Sequence, residues 1–136
     1  MFVGKVLSID GTKYDEDNFP YTLYTITAIE NIKGELKLNE KMSLTKEGGI
    51  MKRQIYVQVL SGDILPKTDR AYIFLVKANK EGELYSGSVN SNLEIRDFSN
   101  YKTSKVYLNV LDAKENEKVV ERGERNMSKY DVNFAG

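Results

Sequence analysis

The run Ala71 to Lys77, AYIFLVK, constrains this chain more than any other segment. It is apolar on both of the faces that a strand would present, so it must be covered from two sides. A strand of that kind belongs at the centre of a β structure. Its neighbours fit this reading, because short β-branched and aromatic segments alternate with turn signals along the chain.

The first strand is expected over about Phe2 to Ile9, closed by the turn pair Asp10-Gly11. Lys13 to Pro20 (KYDEDNFP) reads as a polar loop. Tyr21 to Glu30 is the second strand, with Tyr24, Ile26 and Ala28 on one face and Thr25 and Thr27 on the other. Ile29 and Ile32 break that alternation and predict a bulge or bend before Lys33-Gly34. Lys41 to Thr45 is a third strand, and Gly48-Gly49 a flexible hairpin turn. Gln54 to Leu60 alternates again, and Ser61-Gly62-Asp63 turns the chain. Asn79 to Glu83 is a hairpin turn into Leu84 to Val89. Val106 to Leu111 is read as the last strand.

Asp112 to Glu121 allows a charged helix or a second hairpin. Ser128-Lys129-Tyr130-Asp131 has the outline of a capping box, and a short helix there would align Tyr130 with Phe134. The fold class expected is mostly β: an antiparallel, OB-like barrel of roughly five to seven strands with a short C-terminal helix at most. Tyr24, Ile26, Ile55, Val57, Phe74 and Val76 should form its core.

The 136 residues suit one domain, and no repeat or Pro/Gly-rich linker divides them. Nine Tyr and five Phe give the core its bulk in the absence of Trp. The chain contains no Cys and no His. That excludes thiolate nucleophiles, disulfides, Cys/His zinc sites and an imidazole base. Lysine and arginine number 20 and so do the acids. A balanced chain has no overall field to draw in nucleic acid or anionic lipid. No apolar run approaches the roughly 20 residues that cross a bilayer as a helix. Met1 leads at once into the strand-like Phe2-Val3-Gly4-Lys5-Val6, so the chain reads as an excised piece of a longer precursor.

Val3-Gly4-Lys5-Val6, Tyr24-Thr25-Ile26-Thr27-Ala28, Ile32-Lys33-Gly34, Gly48-Gly49 and Tyr72-Ile73-Phe74-Leu75-Val76 follow one another in that order. This pattern, over Phe2 to Val89, resembles small membrane-associated surface lipoproteins of Gram-positive bacteria. Those proteins have an OB-like barrel related to that of tissue inhibitors of metalloproteinases. The resemblance implies export and a lipid anchor on a Cys upstream of this chain, with no catalytic residues to carry over. The family often has Gly just before the Tyr-Phe strand. Asp69-Arg70-Ala71 stands here instead, which puts the turn at Thr68 to Arg70 in question.

Asp15, Glu16, Asp17 and Asn18 gather calcium-type oxygen ligands. An EF-hand loop counted from Asp15 would need Gly and Glu where Pro20 and Ile26 stand, so a solvated acidic loop is the simpler reading. Tyr21, Tyr24 and Tyr56 are the candidate ligand-binding residues, as a stacking surface of the kind OB folds offer. Ser43, Ser61, Ser86 and Ser88 lie in no nucleophile motif, and Gly48-Gly49 lacks the Lys-Ser/Thr of a phosphate loop. No cofactor and no metal is expected. The reading is a non-catalytic, extracytoplasmic domain that binds a protein, a peptide or an envelope glycan. The alternative is a cytosolic OB-type domain binding single-stranded nucleic acid. The only doublet of basic residues, Lys52-Arg53, makes a poor phosphate-tracking groove and argues against it.

Overall fold

The computed structural model describes residues 1–50, 65–86, 91–116 and 126–133, and the backbone of 57–58. It is mostly β, as the sequence predicts. The strands are β1 (Phe2–Tyr14), β2 (Pro20–Asn31), β3 (Lys41–Glu47), β4 (Gly49–Ile50), β5 (Val57–Gln58), β6 (Ala71–Phe74), β7 (Lys77–Ala78), β8 (Leu84–Ser86) and β9 (Asn92–Ile95). Two short 3₁₀ turns over Phe98–Thr103 lead into one α-helix, α1 (Lys105–Glu115). Seven strands form one sheet in the order β7-β8-β3-β2-β1-β6-β9, and β4 pairs with β5 alone.

The sheet curls into a half-barrel. It is mixed, not antiparallel throughout, because β3 and β8 run parallel. β6 and β7 explain this. They run in the same direction with only Leu75 and Val76 between them, yet β6 lies against β1 and β7 against β8. The run predicted as one strand therefore leaves one side of the sheet and joins the other. The hairpin at Asn79 to Glu83 then reverses the chain and leaves β8 parallel to β3. That hairpin forms as predicted, with the Asn79 carboxamide accepting from the amides of Glu81 and Glu83.

Ala71 to Phe74 is covered on both faces. Tyr72 and Phe74 enter the cluster inside the curl, with Phe2, Val6, Tyr24, Ile26, Met42 and Leu44. Ala71 and Ile73 face the other way, with Val3, Ile32, Ile95 and Tyr107. The strand lies second from the sheet's edge, not at its centre. Of the predicted core, Tyr24, Ile26 and Phe74 are buried and Val76 is half-buried. The side chains of Ile55 and Val57 lie outside the described residues, as do most of the Gln54–Leu60 strand and the 61–63 turn.

Several boundaries differ. β1 runs through Asp10-Gly11 to Tyr14, because Asp10 is an extra residue in the ladder between the Ile9–Tyr24 and Gly11–Leu23 pairs. The pair makes a bulge instead of a turn, and the true turn is Asp15 to Phe19. Leu7 is a second extra residue on β1, and Ile29 is one on β2, where the sequence predicts a bulge. These bulges bend the two longest strands and allow the sheet to curl. Gly48-Gly49 is no hairpin. The chain passes from β3 to β4 with φ of 103° and 154°, and a Cβ on Gly49 would sit 2.6 Å from the Thr22 hydroxyl. Asp69 takes a left-handed φ of 62° at the turn before β6. Its amide donates to Val6, which holds that turn on β1.

The largest correction concerns Val106 to Leu111, which is helix, not strand. Ser104 caps it by accepting from the Tyr107 amide. Val106, Tyr107, Val110 and Leu111 pack under it while Leu108 is exposed, a helical stripe. The helix covers the outer face of β1, β6 and β9, and it ends at Glu115, with 117–125 outside the described residues. Ser128 and Asp131 bond as in a capping box but shape a turn, not a helix. Asp131 is held instead by a bridge to Leu36, and Phe134 lies outside the described residues.

Candidate functional site

Alternation along β1, β2, β3 and β8 places one set of side chains inside the curl and the other outside. On the outside, Lys13 stands opposite Tyr21 on the neighbouring strand. Leu23, Thr45 and Tyr85 follow in register across β2, β3 and β8. Lys13, Asp15, Tyr21, Thr45, Glu47 and Tyr85 line an open groove of about 520 Å³.

The groove's aromatic floor is fixed. Phe19 meets the Tyr21 ring edge-on with centroids 5.7 Å apart. The Tyr21 hydroxyl donates to Asp15 Oδ2 at 3.4 Å. Asp15 Oδ1 is already engaged by the amides of Asp17 and Phe19, both at 2.9 Å. The acidic loop thus spends one carboxylate oxygen on its own turn and points the other at the groove. Partial burial first, then the charges of Asp15 and Glu47, raise the Tyr21 pKa above its ordinary value. Tyr21 therefore stays a neutral donor at any physiological pH. Tyr85 is 40% exposed and offers a second ring.

The three tyrosines singled out in the sequence separate. Tyr21 is in the groove. Tyr24 is a core residue, 1% exposed, whose hydroxyl donates to the Pro66 carbonyl at 3.1 Å. Tyr56 lies outside the described residues. Sequence reasoning missed Tyr85, Glu47 and Lys13. Tyr85 had a legible signal, since it is the outward residue between the inward Leu84 and Ser86. Glu47 had none, because its place beside Tyr21 depends on strand register.

Inside the curl, behind the groove, lies a polar cluster. Lys46 is 1% exposed, and its ammonium donates to Ser91 Oγ at 2.8 Å. Ser86 donates to the same oxygen, and both serines are buried. A second hollow of about 450 Å³ lies near Asp69, Arg70, Glu94 and Arg96. Arg70 and Glu94 satisfy each other there at 2.7 Å. Among the described residues no three acidic side chains converge as a metal site would require. No helix among them is long and apolar enough to cross a membrane.

Comparison with protein-family models, with curated proteins and with solved structures finds no match for this chain.

Proposed function

We propose that this domain is a non-catalytic binding module that holds an envelope glycan in the groove of Tyr21 and Tyr85, outside the cytoplasm, on a membrane-associated lipoprotein. The observation that carries the binding half is the fixed Tyr21 ring beside exposed Tyr85, with hydroxyl and carboxylate acceptors at the rim. A pyranose has an apolar C–H face that packs on such a ring and hydroxyls that meet such a rim. Lys13 against Asp15 and Glu47 leaves the groove with one net negative charge. A polyanion has no reason to enter it, so single-stranded nucleic acid is the weaker reading. The location rests on the resemblance of the Phe2 to Val89 pattern to surface lipoproteins. With no Cys in the chain, the anchor of such a protein lies outside it.

The catalytic reading has little to stand on. A hydroxyl, Lys or carboxylate site would have to be assembled in space, and Lys46, Ser91 and Ser86 are all buried.

NMR titration of the labelled domain with soluble envelope glycan fragments tests the binding. Shifts should centre on Tyr21, Thr45 and Tyr85, and Tyr21→Ala or Tyr85→Ala should each weaken binding about tenfold. Shifts confined to other surfaces, or none at saturating glycan, sink the reading. Incorporation of a clickable palmitate analogue into the full-length protein tests the anchor. An unlabelled protein in the soluble fraction would remove the membrane half alone.

A further inference from the structure

Glycan binding in the Tyr21 groove leaves open which sugars it takes, and the inference below rests on that reading. The rim around Tyr21 is not neutral. Asp15 Oδ2 faces the Tyr21 hydroxyl, while Oδ1 is held by the loop's amides. Glu47 lies one residue beyond the Thr22–Lys46 pair, on the strand beside Tyr21. Among the described residues it makes no hydrogen bond or ion pair, and it is only half-buried. Lys13, across from Tyr21 on the other side, pairs with neither carboxylate. Two acids and one base therefore flank one aromatic ring; Glu47 is unengaged, and Asp15 Oδ2 accepts only the long 3.4 Å bond from Tyr21.

An aromatic face bordered by carboxylates suits a cation better than a neutral group. The ring quadrupole and the carboxylates both attract positive charge. A plain hydroxyl-bearing sugar would use the ring and donate neutral hydrogen bonds to the rim, leaving the rim's charge uncompensated. An ammonium on the sugar would use both. We infer that the groove selects a glycan of amino sugars with free, protonated amines, seating the pyranose on Tyr21 and the ammonium between Asp15 and Glu47. N-Acetylation replaces that cation with a neutral amide, so the acetylated chain loses the charge contacts and keeps the stacking.

Calorimetric titration with a β-1,4-linked glucosamine oligomer and its fully N-acetylated counterpart, at a pH where the amines are protonated, tests this. The amine form should bind about tenfold more tightly. Added salt should erode that ratio, because the groove is open to solvent. Glu47→Gln should bring the ratio close to one, because it lowers the amine form's affinity far more than the acetylated oligomer's. Lys13→Gln should act oppositely and tighten the amine form, which guards against a variant that merely fails to fold. Equal binding of the two oligomers overturns amine selection but leaves the glycan reading standing, as does a ratio that Glu47→Gln does not alter. Binding of neither removes both.

Discussion

The sheet holds a cation at one end and an anion at the other, and the two are kept in different ways. Lys46 lies on β3 inside the curl, fully buried, with Ser91 accepting from its ammonium and Ser86 bonded to Ser91. Glu30 lies near the end of β2 on the outer face, at the seam with the helical segment. One of its oxygens accepts from Tyr101 at 2.9 Å, the other from Tyr107, and Lys102 approaches at 3.5 Å. The cation is built into one strand, beside buried serines. The anion takes partners from a different element and joins that element to the sheet. A charge inside one layer sets packing, whereas a charge between two layers acts as a clasp.

The titration of the clasp reflects this. Burial alone would raise the Glu30 pKa. The hydroxyls of Tyr107 and Tyr101 and the charge of Lys102 outweigh it and hold the carboxyl below its usual range. The same contacts push both phenols up to about 12. Burial leads for Tyr101, and the bond to Glu30 leads for Tyr107.

The largest effect should come from Lys46→Ala. It empties a packed site and removes one of the two donors to Ser91 Oγ, at a cost of about 3–4 kcal/mol. Urea denaturation measures it, and a loss under roughly 1 kcal/mol would show that the ammonium is not an interior group at all. Glu30→Gln should cost less, roughly 2 kcal/mol, since the amide oxygen still accepts one phenol. Its mark should be local. Amide exchange in α1 should quicken while β1 and β2 keep their protection. Uniform loss across the sheet would mean that Glu30 is no clasp.

The pH dependence separates the regions further. Glu30 has a lowered folded pKa, so its stabilisation is present above the unfolded carboxyl value and lost as pH falls through the folded one. Tyr101 and Tyr107 have raised folded values. Their contribution is whole below about 10, the phenol's ordinary value, and lost as pH rises to about 12. Thermal unfolding followed across pH should show both limbs. Tyr107→Phe should flatten the alkaline one, and an unchanged alkaline limb would rule out the phenol–carboxylate bond.

The sheet was largely legible, and the clasp was not. Tyr24, Ile26 and Ala28 declared their face by alternation, and Ile29 declared its bulge by breaking it. Those signals are local, because a strand's period is written in its own residues. Val106 to Leu111 failed because six residues rich in Val, Tyr and Leu carry strand propensity. Only the cap at Ser104 and the spacing 106, 107, 110, 111 reveal a helix. Tyr101 and Tyr107 lie 71 and 77 residues from Glu30 in sequence, and no local pattern joins them. The groove stands between these cases. Tyr21 was one of three tyrosines singled out for a stacking surface, whereas Glu47 joins it only through the pairing of β2 with β3.

Lys102→Ala should have the smallest effect and is the finest test of how the clasp works. Lys102 is the only full charge contacting Glu30 among the described residues, so a purely ionic clasp would depend on it. Its side chain is 69% exposed, and at 3.5 Å the pair lies at the solvent edge. Water screens such a pair, and ordering a long side chain offsets part of the gain. The expected loss is about 0.5 kcal/mol or less. The phenols differ, because Tyr107 is buried and its hydroxyl bonds the carboxylate directly in a part-buried seam. Salt should therefore change the stability of the wild type and of Lys102→Ala almost equally. If Lys102→Ala instead loosens α1 as much as Glu30→Gln does, the helix is held by charge. The distinction between a charge set within one strand and a hydroxyl-held charge between two layers would then fall.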